Sequence, residues 1–282
     1  MSKNTGIFVL IAAALLLGGC ESSSADKQPQ EVSDTKQQIS PPLESSKVEK
    51  SPVQPEAKEQ TTYYQRSPKA QLQWKDAILT WSEGDVQVRA ERAPFAENNQ
   101  LVVQKLLIKQ GSTQHQVDYK DPIQLESLSL SSDHKFLAIH VQTAEGYSLT
   151  IVNQKTGEYY DLNTYLSRNG RGNVDTVDDY NWSPKGSRLA LAYGNNLRSS
   201  IALFDPELRR LEDIPSPVLY MTTPVILWGA TGNFFDFVSI DDSSKPTLHR
   251  YQLQTHQMED LGEISAEELN RLEQISPSYS FS

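Results

Sequence analysis

One segment of this 282-residue chain comes back four times at a spacing of about 50 residues, and a repeat of that period restricts a chain to folds that stack one supersecondary unit. The clearest copy is Tyr180-Asn181-Trp182-Ser183-Pro184-Lys185-Gly186-Ser187-Arg188-Leu189-Ala190. Residues 128–138 and 226–235 carry two further copies, and residues 79–85 a weaker one. Each sets a large apolar residue (Trp81, Leu130, Trp182 or Trp228) just before a polar turn. About 22 to 27 residues behind each copy, an alternating strand ends in a second polar turn, at residues 107–111, 151–158, 202–207 and 251–256.

Short runs of alternating apolar residues fill the intervals: 77–81, 85–88, 101–108, 136–141, 148–153, 188–193, 200–204, 234–240 and 247–253. Gly, Asp, Asn, Ser or Pro bounds each, the punctuation of strands and hairpins. The unit therefore reads as a strand, a tight reversal, a returning strand, a third strand and a hairpin, a four-stranded meander of the kind that forms a β-propeller blade. Pro184 pre-sets φ at the turn and Gly186 supplies φ > 0. The expected fold is all-β, a propeller-like repeat of about four four-stranded blades, with a β-sandwich of the same strands as the alternative. Ser265-Ala266-Glu267-Glu268 is a capping-box pattern and predicts a short C-terminal helix over residues 266–274.

The repeat resembles the blades of TolB-like propellers, whose signature reads roughly Trp-Ser-Pro-Asp-Gly-x-x-Leu-Ala. Residues 182–190 match best, with Lys185 in the Asp position; residues 131–138 match with His134 in the Gly position; residues 228–235 lack the Ser and the Pro. The resemblance covers roughly residues 75–262 and implies a fold rather than a function. It also implies six or more blades, where only four units fit here.

The N-terminus has a different character. Lys3 precedes an apolar stretch over residues 6–17, too short for a comfortable membrane span. Leu17-Gly18-Gly19-Cys20 follows and contains the chain's sole cysteine. This resembles the lipobox of bacterial lipoproteins, and implies lipid transfer to the Cys20 thiol and cleavage before it. Residues 1–19 are then a signal peptide, and buried acyl chains, at ~0.8 kcal/mol per CH₂, hold Cys20 to a membrane. Glu21 departs from the Asp that resembles an inner-membrane retention signal. The expected location is extracytoplasmic: the outer membrane of a diderm cell, or the outer face of a monoderm plasma membrane. Residues 20–62 are Ser, Gln, Lys, Glu and Pro with almost no large apolar side chain, a composition that predicts a disordered tether. Residues 63–282 form the expected folded domain.

The residues offer little chemistry. The formal net charge of -10 argues against nucleic acid. One cysteine excludes an intrachain disulfide. His115, His134, His140, His249 and His256 are scattered, and no Gly-x-Ser-x-Gly is present, so no nucleophilic triad is expected. Gly170 and Gly172 lack a Rossmann context. Asp175, Asp178 and Asp179 are weak candidates for Ca²⁺, and no metal or other cofactor beyond the lipid is expected. The leading functional expectation is a non-catalytic module that binds an envelope protein. A glycan or cell-wall binder is the alternative, with Tyr159, Tyr160, Tyr165 and Tyr180 as stacking faces.

Overall fold

The computed structural model describes residues 63–64, 73–94, 101–195, 197–215 and 220–276. The chain divides into two units, Met1–Val53 and Gln54–Ser282, and every described residue belongs to the second. The signal sequence, Cys20 and the tether lie outside the described residues.

The described chain is a string of antiparallel meanders. Blade 1 is β2 (Ile78–Glu83), β3 (Val86–Pro94), β4 (Leu101–Gln110) and the first half of β5 (Thr113–Leu130), with β1 (Gln73–Lys75) added beside β2. The second half of β5 opens blade 2, followed by β6 (Phe136–Gln142), β7 (Tyr147–Asn153) and β8 (Tyr159–Asp161). Blade 3 is β9 (Thr176–Trp182), β10 (Leu189–Asn195), β11 (Arg198–Asp205) and β12 (Arg210–Asp213). Blade 4 is β13 (Thr222–Trp228), β14 (Phe234–Ile240), β15 (Pro246–Gln252) and β16 (Gln257–Glu263). Helix α1 (Leu162–Arg168) joins blades 2 and 3, and α2 (Ala266–Glu273) ends the described chain. The blade topology is that of a β-propeller.

The repeated turns share one backbone solution. The first N–H of the turn donates to a carbonyl five residues on: Ser131 to Phe136 (2.8 Å), Ser183 to Arg188 (2.8 Å) and Gly229 to Phe234 (3.0 Å). The slot before the returning strand is left-handed, with φ of 56° at His134, 75° at Gly186 and 73° at Gly232. The weaker fourth copy is a shorter reversal with φ of 58° at Gly84. In β5, pairing with β4 gives way to pairing with β6 next to Pro122, a residue with no N–H to lose from a ladder.

Three cores lie between consecutive blades. Trp81, Val86, Val88 and Ile108 pack with Leu128, Leu130, Leu137 and Ile139 between blades 1 and 2. Trp182, Leu191 and Phe204 pack with Ile151, Leu162 and Leu166 between blades 2 and 3. Trp228, Phe235 and Phe237 pack with Ala190, Ile201 and Leu203 between blades 3 and 4. A β-sandwich has two sheets and one such core, so the sandwich alternative is set aside.

The innermost strands are also stitched by polar bonds. The Trp228 indole donates to the Asn181 carbonyl (2.9 Å), and the Trp182 indole to the Ser129 carbonyl (3.2 Å). In each case the acceptor is the residue before the apolar slot of the preceding blade. The equivalent Trp81 Nε1 is buried and has no partner among the described residues. Among the described residues no blade precedes blade 1 in sequence.

The two ends differ. On the free face of blade 1, Thr80, Ser82, Gln87, Arg89, Lys109 and Gln114 are exposed. The outer face of blade 4 is apolar and covered: Val225, Leu227 and Val238 are buried with Leu272 of α2 and with Tyr64. Tyr64 bridges to Gly229, and the Tyr63 carbonyl accepts the Ala230 N–H (2.9 Å). Beneath them the Tyr64 hydroxyl donates to Asp236 (2.6 Å), which also takes both arms of Arg250 (2.8 Å each). Among the described residues, blades 1 and 4 share no apolar core.

Candidate functional site

In a meander, the turn joining the first two strands and the turn joining the last two emerge at the same end of a blade. The last of these turns in blades 1 and 3, and both turns of blade 2, surround a pocket of about 460 Å³. Gln110 comes from blade 1; His134, Lys135, Gln154, Lys155, Glu158 and Tyr160 from blade 2; Glu207 and Arg209 from blade 3. The site is fixed by fold rather than by one local motif. The Gln154 carbonyl meets His115 Nε2 (3.0 Å) of blade 1, and Ser132 Oγ donates to the Ser183 carbonyl (2.5 Å) of blade 3. Gly157 is required there, because a Cβ would sit 2.1 Å from the His115 ring.

The rim is charged and the lining beneath it polar. Lys135 Nζ reaches Glu207 (3.0 Å) and Asp133 (3.6 Å), and Arg209 pairs with Glu158. Arg209 also lies over the Tyr160 ring, 4.9 Å from its centre. Burial pushes the Tyr160 phenol up, so it stays protonated at neutral pH. Gln154 is 2% exposed. Neither its amide nitrogen nor its amide oxygen has a partner among the described residues, and the Tyr160 hydroxyl has none either.

The other singled-out residues do not assemble into one centre. Asp179 is buried and accepts the Ile226 N–H (2.5 Å); Asp178 accepts from Thr176 (3.0 Å); Asp175 accepts from Asn173. A register shift in the β9–β10 ladder skips Asp178, and burial pushes its carboxyl up. These acids stitch strands and loops. Among the described residues no three His, Cys, Asp or Glu side chains converge on a metal position. Tyr180 is fully buried, its hydroxyl bonded to Ser127 (2.9 Å) and Ser129 (3.1 Å), and half-buried Tyr165 packs on Phe204. Only Tyr159 is exposed and only Tyr160 lines the pocket, so the four tyrosines form no common stacking face.

His140 lies between blades 2 and 3. Its Nε2–H donates to the Val177 carbonyl (2.9 Å), and burial pushes its pKa down to about 4. Sequence spacing concealed one pair, Ser239 Oγ and His249 Nε2, 2.8 Å apart on adjacent strands. Burial lowers the His249 pKa, and Asp260 across the ladder accepts the Gly262 N–H at Oδ1 (2.8 Å).

No family model matches the chain, and no curated protein does. Similar solved structures include TolB from Acinetobacter baumannii, 16% identical over 63% of this chain and 42% of that one, with a TM-score of 0.39. Puromycin hydrolase is 12% identical over 70% of this chain and 29% of its own, with a TM-score of 0.38. Hydrazine synthase from Kuenenia stuttgartiensis is 11% identical over 71% and 51%, with a TM-score of 0.37. The chain thus spans about half or less of each of these proteins.

Proposed function

We propose that this chain is a lipid-anchored envelope lipoprotein whose four-blade domain binds a protein partner through the hairpin face, without catalysing a reaction. The observation that carries the reading is the pocket: hairpins of three consecutive blades, held by two inter-blade cores, surround a polar hollow with buried, unpartnered hydrogen-bonding groups. Buried polar groups are as a rule satisfied, so a site that leaves several unpaired is suited to a ligand that pairs them. The anchoring half of the reading rests on the Leu17-Gly18-Gly19-Cys20 sequence. Among the described residues no helix is long and apolar enough to cross a membrane.

Crosslinking in intact envelopes, followed by capture of the full chain, tests the binding half. A discrete crosslinked protein, lost when the hairpin face is altered, is the expected result; no crosslinked species refutes it. For the anchoring half, Cys20→Ser is expected to release the protein from membranes or leave the precursor uncleaved. A matured, membrane-bound Cys20→Ser protein would overturn it.

A further inference from the structure

Two residues of the pocket stand in left-handed backbone slots that other blades fill with glycine. In the first turn the left-handed slot holds Gly186 in blade 3 and Gly232 in blade 4, but His134 in blade 2. In the second turn it holds Gly157 in blade 2, but Arg209 in blade 3 with φ of 48°. The second turn of blade 4 has His256 at φ 52°, outside the pocket. An arginine in this region costs on the order of 1 kcal/mol that glycine would not. The chain holds Arg209 in the unfavourable slot, where its guanidinium reaches the pocket rim.

The lining carries three cations (Lys135, Lys155 and Arg209) and two carboxylates, Glu158 and Glu207, with Asp133 beside Lys135 at its edge, so that Lys155 is the cation with no ion pair among the described residues. Lys135 and Arg209 already seat carboxylates, so their geometry suits that group. Both pairs are solvent-exposed, and exposed pairs contribute about 0–1 kcal/mol, so an incoming carboxylate displaces them cheaply. Within the lining, the unpaired Gln154 amide offers one donor face and one acceptor face, the complement of a peptide group.

We propose that this pocket docks a carboxylate-bearing peptide segment of the partner, with Arg209 and Lys155 on the carboxylate and Gln154 on the adjacent peptide group. The proposal rests on the reading that the domain binds protein. Fluorescence anisotropy of the full-length chain in detergent tests it, using labelled hexaglutamate, labelled hexaglutamine and labelled polyphosphate. The glutamate peptide is expected to bind at least about tenfold more tightly than the glutamine peptide, the scale of a charged hydrogen bond. Arg209→Gly and Gln154→Leu are each expected to weaken hexaglutamate binding about tenfold while leaving the melting temperature unchanged or raised, because one removes backbone strain and the other an unpaired buried amide.

Equal binding of the two peptides, or wild-type affinity in both variants, overturns the proposal. So does binding of polyphosphate in preference to hexaglutamate, which makes the pocket a phosphate-polymer site. A lowered melting temperature in Arg209→Gly overturns the glycine-slot assignment. The envelope crosslink separates the two levels: a partner captured equally by wild type and Arg209→Gly removes this proposal and leaves the functional reading, whereas no partner for either removes both.

Discussion

The two end blades solve one problem in opposite ways. A blade with no neighbour must have a wettable outer face or a cover. Blade 1 takes the first route, with Gln87, Arg89 and Lys109 outward while Val86, Val88 and Ile108 face blade 2. Blade 4 takes the second: Val225, Leu227 and Val238 lie beneath α2 and the Tyr63–Tyr64 segment. End units of stacked repeats are commonly polar on the outside, and blade 1 needs nothing but its own sequence to be one. Blade 4 depends on chain from both ends of the domain.

The sharpest way to break this comparison is to damage the cover. Leu272→Ala empties a buried position on blade 4 and is expected to cost about 2–5 kcal/mol, read from denaturant unfolding of the full chain; a loss under about 1 kcal/mol means that blade 4 does not need its cover. An interior site gives a scale. His140 is neutral when folded, with its pKa at about 4, whereas an unfolded histidine titrates near ~6.5. The unfolded state therefore binds the extra proton between these values, so the stability from burying a neutral ring is full above pH ~6.5 and falls as pH drops toward 4, by about 3 kcal/mol. His140→Gln should flatten that slope, and an unchanged pH profile refutes the assignment.

Indole bonds refine the comparison further. Trp228→Phe leaves the Asn181 carbonyl without its indole donor, whereas Trp81→Phe removes an N–H that has no partner. With both rings buried, Trp228→Phe should cost about 1–2 kcal/mol more than Trp81→Phe, measured by paired thermal or urea melts. Equal costs would show that Trp81 has a partner after all. The smallest effect belongs to the open end: Gln87→Ala and Arg89→Ala should shift stability by no more than about 0.5 kcal/mol. A larger loss would mean that something covers blade 1.

The repeat was legible because its turns are punctuated by Gly, Pro and Ser at fixed offsets from a large apolar residue, and the strands beside those turns alternate cleanly. The outer strands were not legible. β16 reads Gln-Met-Glu-Asp-Leu-Gly-Glu and is mostly exposed, so it carries no period-2 signal. β5 was missed because its first half is polar on the solvent side, and it continues through Pro122 into the next blade. Helix α1 was not expected from the sequence, although Asp161, whose carboxylate accepts the Thr164 N–H (2.7 Å), and Leu162 and Leu166 one turn apart mark it. The pocket combines hairpins up to about 100 residues apart, beyond any local pattern. Its one trace in the sequence is His134 in a glycine position; aligning the second turns would have exposed Arg209 opposite Gly157 in the same way.

The Tyr64–Asp236–Arg250 knot also has a mechanical meaning. Tyr63 and Tyr64, the first described residues, sit on blade 4, although the first complete blade in sequence is blade 1. A pull applied at Tyr63 would be delivered first to a buried carboxylate held by a phenol and a two-armed guanidinium, with Arg250 lodged against the Phe234 ring at 4.2 Å. While that knot holds, the load passes into blade 4, and the hairpins around the pocket, on blades 1 to 3, carry none of it directly. A pull strong enough to undo the knot would peel Tyr63 and Tyr64 from blade 4 before it reached β1.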